Sequence, residues 1–153
     1  MDKLAFQDYL HQAIPQSLAM QVSVESLNND GVRLSAPLAA NINHRGSVFG
    51  GSASSVAILA AWSLLYTRLS RQGINATLVI QKNTMTYDAP ILGMFDASAS
   101  LVDNQDWSRF ITLLLRRGKA RIEVQSILNY DNKPAGRLTG SFVAVLASTS
   151  SPE

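Results

Sequence analysis

The fold is decided by residues 41–71, which read NINHRGSVFGGSASSVAILAAWSLLYTRLSR. The first part, up to Gly51, mixes polar residues and glycines without any period and predicts a loop. The stretch from Ser52 to Arg71 predicts a helix in which positions 56–62 are apolar on every side. A helix that is apolar all round is buried on most faces. The sequence therefore predicts one long central helix that the rest of the chain covers.

The segments before this helix predict a short helix and a hairpin. Apolar residues of the segment 2–14 recur at a spacing close to 3.6, which predicts an amphipathic helix that ends at Pro15. Apolar and polar residues then alternate over 20–24 and 32–36, which predicts two half-buried strands. Because the turn-forming residues Asn-Asn-Asp-Gly at 28–31 lie between them, the two strands are expected to form a hairpin.

The half of the chain after Gly73 is rich in predicted strands. They cover residues 75–89, 92–102, 120–125 and 138–146, with a turn at 131–134. A further helix is predicted between an N-cap at Asp106 and Gly118. Runs of strands without regularly alternating helices argue against a parallel sheet. We expect an α+β fold, an antiparallel sheet wrapped around one long central helix, in a single domain over 1–153 with a frayed tail at 148–153.

Composition and charge exclude several classes of function. Of 153 residues, 46% are hydrophobic, which is enough for a full core. The net charge is only +2, which argues against nucleic acid as a partner. The chain has no cysteine, which removes disulfides, thiolate nucleophiles and cysteine-based metal sites. The N-terminus lacks the pattern of a signal peptide, and the apolar run 56–66 is too short to span a bilayer, so we expect a cytoplasmic protein without a membrane partner or a metal.

The segment 43–52, in this architecture, resembles the hot-dog fold of acyl-thioester enzymes. Within that fold it looks like the thioesterase branch whose domain follows an acetyltransferase domain in some bacteria and stands alone in others. The segments 106–110, 118–123 and 140–144 are similar to the same branch. The resemblance therefore covers nearly the whole chain.

The resemblance implies a homodimer or a dimer of dimers with active sites at the subunit interfaces. The expected ligands are acyl groups carried as thioesters on coenzyme A or acyl carrier protein. No cofactor is expected beyond the coenzyme A or phosphopantetheine of the substrate. Members of the branch have been linked to decarboxylation of malonyl-acyl carrier protein, which supplies acetyl primer for fatty acid synthesis. Other hot-dog enzymes hydrolyse the thioester or hydrate an enoyl group.

Gly50 and Gly51, where the loop enters the helix, are the first candidate catalytic residues. Amides at a helix N-terminus are unpaired and carry the positive end of the helix dipole, so they can stabilise an enolate or a tetrahedral oxyanion. Glycine lets a ligand approach the backbone closely. The alternative is that the pair only makes a tight turn. The adjoining Val48, Phe49 and Ser52 are candidate substrate-binding residues.

Asn43 and His44 are the polar candidates in the loop. In many hot-dog thioesterases an Asn at a matching position holds the reacting group or a water, and the resemblance implies this role for Asn43. The alternative is an Asn that caps its own loop, for which Asn41 is the better candidate. His44 could act as a general base or hydrogen-bond donor, or it only shapes the turn.

Residues 47–71 contain no Asp or Glu, although hot-dog hydrolases usually carry an acid on the central helix or the facing strand to activate water. Hydrolysis without a base loses about 10²–10⁴-fold in rate. Decarboxylation of a malonyl thioester needs only donors at the carbonyl oxygen and an apolar, poorly solvated place for the carboxylate. The missing acid thus favours the decarboxylase, unless an acid enters from elsewhere. Asp88 is the first candidate for that acid, before Asp96 and Glu123.

In related enzymes the strand that faces the helix comes from the partner subunit, and the matching segment here is 80–87. Alternation places Gln81 and Asn83 on one face of this strand, where they are candidate substrate-binding residues. Polar residues on a strand are also typical of a solvated face. The face that carries Gln81 and Asn83 lines the substrate pocket only if the two subunits of the dimer meet at this strand.

Four basic residues lie within six positions: Arg116, Arg117, Lys119 and Arg121. The cluster could bind the acidic surface of acyl carrier protein or the phosphates of coenzyme A. It could equally complement the negative end of the preceding helix.

Three functions remain open on this evidence. The first is decarboxylation of malonyl-acyl carrier protein, with Gly50 and Gly51 stabilising the enolate and Asn43 positioning the substrate. The second is a thioesterase in which His44 or an imported acid activates water. The third is a non-catalytic dimer that binds acyl thioesters.

Overall fold

The computed structural model describes residues 1–148, so the frayed tail expected over 148–153 lies outside the described residues except for Ser148. A short 3₁₀ turn at Ala39–Asn41 accompanies the helices and strands. The helices are α1 (Lys3–Ala13), α2 (Pro15–Ala19), α3 (Gly50–Arg71) and α4 (Trp107–Arg117). The strands are β1 (Ser23–Leu27), β2 (Val32–Ala36), β3 (Ala76–Tyr87), β4 (Phe95–Leu101), β5 (Lys119–Tyr130) and β6 (Lys133–Leu146).

The strands form one antiparallel sheet in the order β1-β2-β4-β5-β6-β3. In the register, Leu138 of β6 lies opposite Met85 of β3 on one side and Ser126 of β5 on the other. The long strand β3 and the short strand β1 are the two edges. The helix α3 contacts every strand from β2 to β6, so the sheet wraps around it. The predicted hot-dog architecture is confirmed.

The core lies between α3 and the sheet. Every second residue of β5 and β6 points at the helix and is buried, as Ile122, Val124 and Leu138 show. On α3 the small residues Ala57 and Ala60 are fully buried, which lets the strands approach closely. The hydroxyl of Ser126 donates a 2.7 Å hydrogen bond to the carbonyl oxygen of Ala57. This bond fixes the helix against the middle of the sheet.

The helix α1 covers the outer side of the C-terminal half of α3. Tyr9 of α1 stacks on Tyr66 of α3 with ring centroids 5.0 Å apart, and Trp62 stacks on the same tyrosine at 4.9 Å. Phe6, fully buried, completes the cluster at 5.9 Å from Tyr66. The adjacent Tyr66 side chain and burial raise the pKa of Tyr9 to about 12. The stacked rings hold α1 on the central helix.

The N-terminal segment contains one helix more than predicted. The first helix ends before Pro15 as expected, since α1 runs to Ala13, but Pro15 also begins the short helix α2. Proline is tolerated there because the first residue of a helix has no intrahelical partner for its amide. As a result β1 begins at Ser23, later than the predicted strand over 20–24.

The last hairpin turn is tighter than predicted. Asp131 and Asn132 have φ values of 53° and 60°, the left-handed conformation that a two-residue type I′ turn requires. Lys133 and Pro134, which were assigned to the turn, already belong to β6. By contrast, α4 begins and ends as predicted: the Asp106 carboxylate accepts from the amide of Arg109, and Gly118 follows the helix with φ 76°.

The described helices include none that is both long and apolar enough to cross a membrane.

Replacing Leu64 with Ala should lower the free energy of unfolding by about 2–5 kcal/mol, because Leu64 of α3 is fully buried and its truncation leaves a cavity. Leu115→Ala is the matched control, since Leu115 on α4 is 57% exposed, and it should change stability by less than about 0.5 kcal/mol. Urea denaturation measures both. Equal losses in the two variants would contradict the placement of the core around α3.

Candidate active site

The first turn of α3 presents three unpaired backbone amides. Its N-cap is Phe49, whose own amide donates to the carbonyl oxygen of Asn41 at 2.7 Å. Among residues 1–148, no oxygen accepts from the amides of Gly50, Gly51 and Ser52. A Ser, Thr, Asp or Asn at the N-cap would normally supply that oxygen, and Phe cannot. The amides of Gly50, Gly51 and Ser52 thus stay free at the positive end of a 22-residue helix, and an oxyanion site can be built from such donors.

Two exposed aromatic rings flank these amides. A Cβ atom on Gly51 would overlap the ring of Phe49, and one on Gly50 would lie 3.5 Å from the ring of Tyr87. The Tyr87 hydroxyl donates to the carbonyl oxygen of Gly50 at 3.2 Å. Neither glycine has a positive φ, so neither is required for its backbone conformation. Gly51 is explained instead by the close packing of the Phe49 ring over the helix start.

Asn43 organises its own loop. Its side-chain oxygen accepts from the amides of Arg45 at 2.8 Å and Ser47 at 3.2 Å, and its Nδ2 donates to the Ser47 hydroxyl at 2.9 Å. The Asn43 amide also donates to the Ser47 carbonyl oxygen at 2.8 Å. The loop-capping role was predicted for Asn41, and that prediction is wrong. His44, next along this loop, is exposed.

Asn41 instead anchors the loop to the body of the protein. It is buried, and its Nδ2 donates to the carbonyl oxygens of Met20 at 3.0 Å and Pro37 at 2.8 Å. Its backbone oxygen holds the amide of Phe49. Asn41 therefore fixes where α3 begins relative to α2 and β2.

A cavity of about 280 Å³ lies beside the helix start, and we call it the Ala53 cavity. Its lining consists of Val48, Ala53, Tyr87, Asp88, Ala89, Pro90, Ile91, Leu128 and Ala135. The segment 87–90 is exposed and forms the rim, whereas the other lining residues are buried. The structure thus brings the Asp88 candidate to the site and keeps Asp96 and Glu123 outside this cavity.

A larger apolar groove of about 400 Å³ runs along the other side of α3. Its walls include Ser55, Ile58 and Trp62 of α3 and the segment Leu78–Ile80 of the edge strand β3. The N-terminal residues Ile14, Gln16 and Met20 form the remaining wall of the groove. We call it the α3–β3 groove.

The candidates Gln81 and Asn83 lie on β3 and are both exposed. Asn83 lies opposite Gly140 of β6, which puts it on the helix-facing side of the sheet. A β-bulge between Ile80 and Lys82 leaves Gln81 without a partner. Simple alternation, which had placed both side chains on one face, does not hold across a bulge.

The basic cluster lies at the opposite end of the sheet from the helix start. Lys119 is level with Val145 of β6 and Thr77 of β3, whereas Tyr87, beside Gly50, is at the far end of β3. At about 3.3 Å per residue this is a separation of about 30 Å within one subunit. All four side chains, Arg116, Arg117, Lys119 and Arg121, are exposed. Their role in binding a carrier stays a prediction.

Residues 3–146 match the model of the family described as "Putative thioesterase (yiiD_Cterm)". The chain belongs to this thioesterase family. Membership implies acyl thioesters as substrates, and it agrees with the fold and with the free amides at the start of α3.

Several solved structures are similar to this chain over nearly its whole length. A protein of unknown function from Chlorobaculum tepidum is 27% identical, with a TM-score of 0.88, and the match covers 95% of this chain and 94% of that one. A "putative thioesterase" from Shewanella oneidensis is 25% identical with a TM-score of 0.82, covering 94% and 96%. A "probable thioesterase" from Pseudomonas aeruginosa, at 20% identity and a TM-score of 0.80 over 94% and 96%, shares the fold.

Sequence reasoning missed Tyr87 as a site residue. It was read only as part of a strand, yet its ring lies against Gly50 and its side chain lines the Ala53 cavity. The buried lining residues Ile91, Leu128 and Ala135 were missed as well. No local pattern marks them, because only the sheet register brings β5 and β6 beside the start of α3.

Replacing Asn43 with Ala should lower the free energy of unfolding by about 1–2 kcal/mol, because the amides of Arg45 and Ser47 lose their acceptor. Asn43→Asp keeps both acceptors and should remain close to the wild type. Thermal unfolding followed by circular dichroism measures the difference. Equal stability of the Ala variant and the wild type would show that the Asn43 side chain does not hold the loop.

Proposed function

We propose that this protein is an enzyme that acts on short acyl thioesters, with the amides of Gly50, Gly51 and Ser52 as its oxyanion site. The uncapped first turn of α3 carries this proposal, since a helix start without a capping side chain gives up about 1 kcal/mol of stability. That loss is expected where donors are reserved for a ligand. A thioester oxygen in this position receives hydrogen bonds that strengthen as negative charge develops on it.

Within this class we propose decarboxylation of malonyl-acyl carrier protein to acetyl-acyl carrier protein, a step that initiates fatty acid synthesis. The bond between the malonyl methylene and its carboxylate breaks, carbon dioxide leaves, and the electron pair moves into the thioester to give an enolate. The three amides stabilise the enolate oxygen, and a proton from solvent then converts the enolate into acetyl thioester. This route needs no general base. Residues 47–71, which comprise the end of the loop and all of α3, contain no Asp or Glu, in agreement with such a route.

The surroundings support the same reaction. Val48, Ala53 and Ile91 give the Ala53 cavity an apolar wall beside the helix start. A carboxylate placed against such a wall loses hydration, which favours its departure as neutral carbon dioxide. Asn43, at the loop entrance, has one Nδ2 hydrogen left after its bond to Ser47 and could donate it to the substrate.

Hydrolysis of the thioester is the second candidate, and the position of Asp88 favours it. Asp88 lies on the rim of the Ala53 cavity, where a carboxylate could activate a water for attack on the thioester carbon. Free acid and free carrier thiol would be the products. His44 is the other base considered, on the exposed part of the loop.

Malonyl-acyl carrier protein, incubated with the wild type and with Asp88→Asn, separates the two reactions. Decarboxylation predicts acetyl carrier by mass spectrometry and an Asp88→Asn variant that keeps most of its activity. Hydrolysis predicts free carrier thiol and a loss of about 10²–10⁴-fold on removal of the base. The control Asp8→Asn alters an exposed carboxylate on α1 and should change neither the product nor the rate. Saturable binding without any product would contradict the proposal that the protein is an enzyme, and would indicate a protein that only binds acyl thioesters.

We also propose that the protein works as a homodimer that pairs through β3. β3 is a 12-residue edge strand with free backbone groups, and its Val79 is 51% exposed beside the apolar α3–β3 groove. A long exposed edge strand is a template for pairing with a second chain. Such pairing would bring the partner's copy of this strand, with the residues equivalent to Gln81 and Asn83, toward the helix start.

Val79→Lys should convert a dimer into a monomer, because pairing through β3 would place an added charge in the interface of each chain. Light scattering after gel filtration measures the mass. Leu115→Lys introduces the same charge at an exposed apolar site on α4 and should leave the mass unchanged. A wild-type protein with the mass of one chain, 16.6 kDa, would contradict the dimer.

A further inference from the structure

The end of the fold that carries α4 is basic and unneutralised. Residues 107–122 contain no Asp or Glu, and their exposed cations are Arg109, Arg116, Arg117, Lys119 and Arg121. Within the part of the chain that the structure describes, the one salt bridge joins Arg33 and Asp96, far from this segment in sequence. The negative end of α4 explains the cations that follow it, but not Arg109, which lies in the first turn at the positive end.

An exposed leucine lies among these cations. Leu115 is 57% exposed and is followed directly by Arg116 and Arg117, whereas Phe110 and Leu114 on the other side of α4 are buried in the core around α3. A phosphate group binds arginine alone, but a protein surface with acidic and apolar side chains contacts both kinds of residue. The end of α4 therefore fits an acidic protein partner.

This basic end is too far from the helix start of its own subunit to serve it. The indole nitrogen of Trp107 donates to Gln72 at 3.0 Å, which places α4 at the end of α3 opposite to Gly50. Lys119 is about 30 Å from Tyr87, beside Gly50. A phosphopantetheine arm, with about 12 chain atoms between phosphorus and sulfur, spans only about 15 Å when extended.

Pairing of two β3 strands brings a second helix start within reach. Copies related by a twofold axis perpendicular to the sheet run antiparallel, so full overlap of the 12-residue strands puts Ala76 opposite the partner's Tyr87. Lys119 is level with Thr77 and thus one residue from the level of that tyrosine. The path from β5 over β6 and β3 to the partner's β3 is three strand spacings, or about 14 Å.

We propose that acyl carrier protein docks on the basic end of α4 in one subunit and delivers its thioester to the start of α3 in the other subunit. The proposal rests on the proposed function and on pairing through β3. Each reaction site then needs both chains: one supplies the amides and the other supplies the docking surface. Arg116 and Arg117 are the central contacts, because α4 lies on the same side of the sheet as α3.

Charge reversal tests the docking surface. Arg116→Glu combined with Arg117→Glu should raise KM for malonyl-acyl carrier protein at least about tenfold more than KM for malonyl-pantetheine, since only the carrier meets the reversed charges. Lys133→Glu with Arg137→Glu makes the same charge change at exposed positions near the helix start of the same subunit, and should leave the activity unchanged. Mass spectrometry measures the product, and circular dichroism confirms that each variant folds.

Gly50→Pro supplies a chain with a defective oxyanion site. Proline removes the Gly50 amide and is favoured at the first position of a helix, and Phe49, with φ −59° and ψ 132°, already has the conformation that precedes proline. Loss of one oxyanion donor should lower the rate about 10²–10³-fold. Gly50→Ala keeps the amide and is the matched control, since its Cβ would lie at an ordinary 3.5 Å from the Tyr87 ring.

Two mixed dimers, purified through different tags on their chains and assayed below KM, show which subunit receives the arm. A Gly50→Pro chain paired with an R116E/R117E chain keeps one intact site facing one intact docking surface, and should retain about half of the wild-type rate. A wild-type chain paired with a chain that carries all three substitutions has no such pair across the interface. It should retain less than about a tenth of that rate.

The outcomes separate this proposal from the proposed function. Delivery within one subunit predicts the reverse activities of the two mixed dimers, and that result would overturn the proposal while the proposed function stands. Full activity of R116E/R117E on the carrier would do the same, and a defect with malonyl-coenzyme A alone would assign the cluster to the phosphates of coenzyme A instead. If Gly50→Pro is as active as the wild type, or no substrate is converted, the proposed function itself fails.

Discussion

The unpaired amides at the start of α3 are the feature on which the structure of this site depends. A helix of 22 residues adds a full dipole to its first turn, and here that turn has Phe49 at the N-cap instead of a hydrogen-bonding residue. The rest of the fold keeps this turn in place and open. Asn41 fixes its entry, the sheet holds the body of the helix, and the Phe49 and Tyr87 rings lie on either side of it. The donors are thus positioned before any ligand arrives, which is the condition for electrostatic stabilisation of a developing oxyanion.

The choice between decarboxylation and hydrolysis depends on what surrounds these donors. Buried apolar side chains lie on the core side, and one carboxylate, Asp88, lies on the exposed rim of the same cavity. An apolar wall weakens the hydration of a substrate carboxylate, whereas a rim carboxylate suits a base that handles water. The same cavity therefore supports both reactions physically, and family membership defines the substrate class without deciding between them.

Much of the fold could be predicted because its signals are local. The all-apolar run 56–62, the alternation in β5 and the Asp106 and Gly118 signals of α4 each depend on neighbouring residues. The helix α2 was not predicted, because a proline that ends one helix can also begin the next, as Pro15 does. The site was only half predictable. Gly50 and Gly51 stand out in the sequence, but Tyr87 and Leu128 reach the site through strand register, and the bulge at Gln81 leaves no clear sequence pattern.

The most direct test of the central claim is nuclear magnetic resonance of protein labelled with ¹⁵N at glycine only. The chain has nine glycines, so the amide signals of Gly50 and Gly51 can be assigned by substitution. On addition of an acetyl-phosphopantetheine analogue in which an amide replaces the thioester, the account predicts large saturable shifts of these two signals. Those of Gly73 and Gly118, at the other end of the fold, should stay in place. Saturable shifts that spare Gly50 and Gly51 and appear at Gly118 would contradict the claim that the start of α3 binds the acyl oxygen.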